Sequence, residues 1–248
     1  MMRRTWLLTV AVVCSVPLYP ARADDDKPAW EKKTYTNAKK DQLPYRLLSP
    51  EKFDPKQTYP LVVYLHGSGS RGTDNEKQLG GALNQITAKE NRKKYPCFVV
   101  APQCSKKEPL NYWAKTVDSG IVMAMIKDVE KNHPVDLKRV YVTGLSDGGW
   151  GAWALLERYP DQIAAAIPIC GRGEPTAAAK FAAVPIWVFH GAKDDTEPVK
   201  SSREMVAALK KAGGSPKYTE YADVGHNAWD RAYGDAKLFE WLFAQKRK

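Results

Sequence analysis

The chain has 248 residues, 44% of them hydrophobic, with 38 basic against 28 acidic residues and a formal net charge of +10. The lysines are scattered in pairs (Lys32, Lys33, Lys39, Lys40, Lys93, Lys94, Lys106, Lys107, Lys210, Lys211) and no basic block is interleaved with aromatics, which argues against a nucleic-acid partner. Four cysteines and four histidines stand in no ligand-like spacing, so neither a metal site nor a cofactor is expected.

The first 23 residues read as an export signal. Arg3 and Arg4 form a basic start, residues 6–16 an apolar core, and Ala21-Arg22-Ala23 a small-x-small cleavage site. Cleavage after Ala23 predicts a periplasmic or secreted chain beginning at Asp24. No later stretch approaches the ~20 apolar residues of a membrane-spanning helix. Residues 24–248 suit one domain with a single large core.

Residues 32–37 and 44–48 alternate loosely and predict an antiparallel pair of edge strands. Residues 61–65 (LVVYL) form an unbroken apolar run, as in a strand buried on both faces. They lead into His66-Gly67-Ser68-Gly69, a glycine-rich loop without the Walker spacing or its lysine. Residues 75–94 predict a helix. Residues 97–101 predict the next buried strand, followed by a loop holding Tyr112 and Trp113. Val122, Met125, Ile126 and Val129 recur at helical spacing and place a helix over residues 117–132.

Further strands are expected at residues 139–143, 163–169, 185–189 and 217–221, with helices at 150–159, 201–212 and 230–245. Alternation of apolar strands with helices implies an α/β class, with a mainly parallel sheet covered on both faces. Ligands of such sheets bind beyond the carboxyl ends of the strands.

Of the three cysteines left after cleavage, Cys97 and Cys104 are nearest in sequence. Seven extended residues reach roughly 20 Å, whereas bonded Cα atoms lie within about 7 Å. Pairing them requires a sharp reversal near Pro102.

Chemistry concentrates at residues 141–150 (YVTGLSDGGW). Gly144-Leu145-Ser146-Asp147-Gly148 lies between a predicted strand and a predicted helix, the nucleophile-elbow arrangement. Glycines flank the serine because the bend leaves no room for side chains two residues away, and the free N–H groups of the helix start face the same space. Alone, the pattern arises by chance in on the order of one chain in ten.

A base and an acid are therefore needed. His66 and His190 each precede a glycine at a strand end and read as structural. His133 precedes a proline at a helix end. His226 lies in a loop between the last strand and the last helix, where its imidazole can reach Ser146 and carry a proton. Asp194 and Asp195, just after a strand, both qualify as the acid. Adjacency leaves them unseparated, and the other is free to cap the next helix.

With Tyr64-Leu-His-Gly-Ser-Gly, the elbow, Phe189-His-Gly-Ala-Lys-Asp-Asp and Val224-Gly-His-Asn-Ala-Trp quoted in this order, the chain resembles α/β-hydrolase esterases. That group includes dienelactone hydrolases, phospholipase/carboxylesterases, and poly(hydroxyalkanoate) depolymerase-like and feruloyl-esterase-like enzymes. The resemblance covers roughly residues 42–245 and extends to the catalytic domain of prolyl oligopeptidases. It implies an α/β-hydrolase fold and a Ser146–Asp194–His226 triad that cleaves carboxylic esters through an acyl-enzyme. It also implies an oxyanion hole made by the N–H groups of Ser68 and Asp147.

Glu197 stands where the family usually has Val. Asp147 stands where many relatives carry Met, Gln or Asn, and its carboxylate is expected to turn to solvent or bond the first helical turn. Trp113 and Trp229 are candidates for lining the substrate pocket, with core packing as the alternative. The rival functions are a prolyl oligopeptidase-like peptidase and a non-catalytic binding protein on the same fold.

Overall fold

A computed structural model describes residues 28–105, 113–114 and 120–248. The expected export signal at residues 1–23 and the loop residue Tyr112 lie outside the described residues. Eight strands form one sheet among the described residues: β1 (Glu31–Thr36), β2 (Gln42–Leu48), β3 (Tyr59–Leu65), β4 (Phe98–Pro102), β5 (Val135–Leu145), β6 (Ala165–Ile169), β7 (Trp187–Gly191) and β8 (Lys217–Tyr221). Their order is β1-β2-β4-β3-β5-β6-β7-β8. The β1–β2 and β2–β4 pairs are antiparallel, and every later neighbour is parallel.

Strand period two explains the two-sided core. Leu61, Val63 and Leu65 of β3 point to one face, and Val62 and Tyr64 to the other. Longer helices complete the layers: α3 (Ile121–Asn132), α4 (Asp147–Arg158) and α5 (Lys200–Lys211). They bury Val122, Met125, Leu155 and Met205 in the first core. The second core takes Leu83 from α1 (Ala82–Ile86), Ala232 from α6 (Ala228–Gly234) and Leu238 from α7 (Ala236–Ala244). Lys89–Lys94 forms a short, unburied α2. Among the described residues, no helix is long and apolar enough to cross a membrane.

Two expected helices are broken, each for a local reason. The stretch 75–94 splits at Gly80-Gly81, where Gly81 has φ +59, and again at Thr87-Ala88 before α2. The last helix splits at Asp235, whose carboxylate accepts the Lys237 N–H at 2.9 Å and caps a new helix. Cys97, Cys104 and Cys170 are all free thiols.

Candidate active site

The carboxyl ends of β3, β5, β7 and β8 carry the four loops in which the sequence places its chemistry. β5 ends at Leu145 and α4 starts at Asp147, so Ser146 alone makes the reversal. It does so at φ 54, ψ −122. That conformation costs a residue with a Cβ about 1–3 kcal/mol and survives only where its surroundings over-determine it. Here they do. The Ser146 N–H donates to Ile169 O at 2.9 Å, and its carbonyl accepts the Trp150 N–H at 3.1 Å. A Cβ at Gly144 would come within 2.3 Å of Gly148 O, and one at Gly148 within 1.9 Å of Leu65 O. The two glycines are thus a condition of the bend.

The loop after β3 lies against this elbow. A Cβ at Gly67 would meet Leu145 Cδ1 at 2.8 Å and Ser146 Cβ at 3.4 Å. His66 holds the loop. Its Nδ1–H donates to Gly67 O at 2.7 Å, and its Nε2 accepts the Cys104 N–H at 3.2 Å. Burial lowers the His66 pKa to about 4, which keeps the ring neutral. The Ser68 N–H and the Asp147 N–H, the latter first in α4, donate to no backbone carbonyl among the described residues.

Asp147 departs from the expected orientation. Its Oδ2 is buried without a partner, instead of facing solvent or bonding the helix. Burial raises its pKa. Arg71 opposes that rise, Glu197 adds to it, and His226 opposes it. The half-buried side chain thus lies among the site's own charges.

Asp194 and His226, the expected acid and base, come from the next two loops. A Cβ at Gly191 would lie 2.1 Å from Gly225 O, so the loops after β7 and β8 are pressed together. They are stitched by Ala192 N–H to Tyr221 O at 2.9 Å and Lys193 N–H to Val224 O at 3.0 Å. His226 Nδ1 stands 2.8 Å from Asp194 Oδ2, and His226 Nε2 stands 3.0 Å from Ser146 Oγ. Asp194 Oδ1 accepts the N–H groups of Thr196 at 3.0 Å and Glu197 at 2.9 Å. Burial pushes the Asp194 pKa up, but the Glu197 N–H, the His226 bond and charge, and the Thr196 N–H outweigh it and hold it below the ordinary carboxylate value. Asp195 is exposed and reaches only Thr196 Oγ1, at 3.5 Å. It caps nothing: α5 has no side-chain cap.

The two tryptophans separate. Trp113 is fully buried in the first core, its indole N–H donated to His66 O at 2.8 Å, with Gly151 packed on its Cβ. It supports the loop from behind and packs in the core, the alternative that the sequence left open. Trp229 is half-buried and meets the His226 ring edge-to-face at 5.2 Å.

Two side-chain clusters are not legible as clusters in the sequence. Glu197, a buried carboxylate, accepts Trp150 Nε1–H at 3.2 Å, Arg172 Nε–H at 3.3 Å and Ser201 Oγ–H at 2.9 Å. The Arg172 guanidinium lies over the Trp150 ring at 5.1 Å. The available signal was the carboxylate at a position where the resembling family has Val. Cys170, His190 and Asp194 are buried with ligand-type atoms within 4.8 Å of one another, a spacing that could hold a cation. Both ring nitrogens of His190 are already hydrogen-bonded and Asp194 Oδ2 serves His226, so hydrogen bonds satisfy that set.

Residues 105–235 match the Dienelactone hydrolase family. The chain is 32% identical over 122 residues to poly(3-hydroxyalkanoate) depolymerase C of Paucimonas lemoignei, covering 45% of this chain and 28% of that protein. It is 29% identical over 126 residues to a bifunctional acetylxylan esterase/xylanase of Neocallimastix patriciarum, covering 51% of this chain and 18% of that one. The chain thus spans less than a third of either relative's length. Among solved structures, a thermostable esterase superposes with TM-score 0.83 at 35% identity, over 88% of this chain and 63% of the other. A putative dipeptidyl aminopeptidase IV from Bacteroides ovatus superposes with TM-score 0.71 at 20% identity, over 90% and 36% of the two chains, which speaks to the shared fold alone.

Proposed function

The chain belongs to the dienelactone hydrolase family, and from that premise we propose that residues 24–248 form a single-domain serine hydrolase of carboxylic esters. Ser146 is the nucleophile, His226 the general base and acid, and Asp194 the group that orients His226. The observation that carries the reading is the unbroken line from Asp194 Oδ2 through His226 to Ser146 Oγ, with contacts of 2.8 and 3.0 Å.

The line fixes the proton's path. Asp194 accepts the Nδ1–H of neutral His226, which leaves the Nε2 lone pair to take the Ser146 proton. The Ser146 oxygen attacks the ester carbonyl, and the N–H groups of Ser68 and Asp147 receive the oxyanion. The imidazolium then returns its proton to the departing alcohol, and an acyl-enzyme remains. Water, deprotonated by His226, repeats the attack and releases the carboxylic acid. Trp229 braces the imidazole edge-to-face.

The substrate reading extends to esters carried on polymers outside the cytoplasm. It is supported by the names of the depolymerase and acetylxylan esterase relatives and by the export signal read at residues 1–23. A further relative, 30% identical over 118 residues, is an uncharacterized secreted protein of Arthroderma benhamiae.

The direct test sets p-nitrophenyl acetate against a Pro-linked p-nitroanilide. Turnover of the ester with little or no turnover of the amide is expected. Amide cleavage without ester cleavage would replace this reading with the peptidase one.

A further inference from the structure

His190, the penultimate residue of β7, is fully buried, and both its ring nitrogens are engaged. Nδ1 stands 2.7 Å from Ser202 Oγ on α5. Nε2 stands 2.8 Å from Glu197 O and 3.1 Å from Asp194 Oδ2. These neighbours fix the tautomer. A carbonyl oxygen can only accept, so Nε2 carries a hydrogen; in the neutral ring Nδ1 is then the acceptor and the Ser202 hydroxyl donates to it. The Nε2–H bonds Glu197 O, and Nε2 also lies 3.1 Å from the very oxygen of Asp194 that holds His226.

A bond to loop backbone accounts for the Glu197 contact and leaves the Asp194 contact unexplained. The geometry points to a role for His190 as a positioning residue for Asp194. A carboxylate turns easily about its last torsion. Oδ1 is pinned by two backbone N–H groups, whereas the rest of the carboxylate faces His226, on a loop, His190, in a strand, and the weakly bonding thiol of Cys170. His190 is the rigid one of the two histidines, and Ser202 locks its tautomer. A line of close contacts therefore runs Ser202–His190–Asp194–His226–Ser146, from the middle of the fold to the elbow, hydrogen-bonded at every link but the 3.1 Å His190–Asp194 contact. The titratable groups facing His190 are Asp194 from the loop that follows it, Cys170 after β6, and Glu220 of β8, with His226 across Asp194; Glu197 meets it only through its backbone carbonyl. The inference rests on the triad reading above and extends it by one residue pair.

The experiment compares His190→Phe, which keeps a ring but no donor, with His190→Gln, which keeps an N–H near Nε2. Ser202→Ala, which frees the tautomer, is the third variant. Three quantities are read: kcat and KM on the hydrolysed ester, the thermal midpoint, and the far-downfield proton resonance of the His226 Nδ1–H held by Asp194. The resonance needs no turnover, so it decides the positioning claim even if the wild-type chain hydrolyses nothing and the esterase reading fails. His190→Phe is expected to lose that resonance and about 10–100-fold in kcat, the scale seen when partners of a ligating histidine are removed, with KM within about twofold. His190→Gln should recover most of both. Ser202→Ala should weaken both in the same direction and carries the test if the Phe variant does not fold. Folded Phe and Ala variants that keep the resonance and kcat, or Phe and Gln variants that lower the thermal midpoint alike with kcat intact, overturn the proposal.

Discussion

The two halves of the site are built by different means. On the Ser146 side, backbone meets backbone: Gly144, Gly148 and Gly67 exist to let the elbow, Leu65 and the loop after β3 touch. On the Asp194–His226 side, backbone contact at Gly191 only brings the two loops together, and side-chain hydrogen bonds then set the pair, with Asp194 accepting from Thr196, Glu197 and His226 beside a 3.1 Å contact with His190. The carboxylates mirror this. Asp147, on the steric side, is enclosed without a partner for Oδ2 and is raised by burial; Asp194, on the bonded side, is held low despite its burial. Steric construction tolerates almost no change of volume, whereas bonded construction tolerates volume and fails by charge and geometry.

Each side can be broken separately. Ser146→Ala should lower kcat by about four to six orders of magnitude, leaving what oxyanion donors and binding alone supply. Asp194→Asn should cost about 10⁴-fold, because the amide can stabilise the wrong His226 tautomer. Asp195→Asn, at an exposed group, should stay within about twofold, and the reverse ranking in a side-by-side kcat comparison would contradict the assignment of the acid.

Gly148→Ala tests the steric side by stability. A methyl 1.9 Å from Leu65 O has no room, so a loss of at least about 3 kcal/mol is expected in a denaturant titration. A variant as stable as the wild type would mean that the elbow can relax.

The smallest effect concerns the two carboxylates and has opposite signs. Asp194, depressed in the folded state, contributes stability above the ordinary carboxylate pKa and loses it as pH falls through its lowered value. Asp147, raised in the folded state, favours the fold while protonated and costs stability as pH climbs from the ordinary carboxylate pKa through its raised value. Asp147→Asn should therefore gain stability over wild type toward neutral pH, and about a few-fold in kcat if the carboxylate repels the oxyanion. Equal melting curves at acid and neutral pH would show that Asp147 finds a donor in solution.

The steric side was the more legible in the sequence. Gly144, Ser146 and Gly148 sit at fixed offsets, and a fixed offset survives in one dimension. The parallel sheet was legible for the same reason, since buried strands such as residues 61–65 announce themselves by composition. Asp194 could not be separated from Asp195 by position, because only the fold decides which of two neighbours turns inward. The His190–Ser202 and Glu197–Arg172–Trp150 clusters join residues from separate elements through hydrogen bonds, and no local pattern encodes such meetings. Trp113 was ambiguous because a tryptophan near a site packs or binds with the same sequence signature. Helix ends were misread where one residue, Gly81 or Asp235, restarts the backbone within a run of helix formers.

The central claim is that Ser146 is an activated nucleophile whose base is His226. Reaction with a fluorophosphonate probe, followed by mass mapping of the adduct, tests it most directly. The wild-type chain should take one label, on the peptide containing Ser146, and His226→Ala should label far more slowly at the same residue. A folded, monodisperse wild-type protein that takes no label, or takes it elsewhere, would contradict the account.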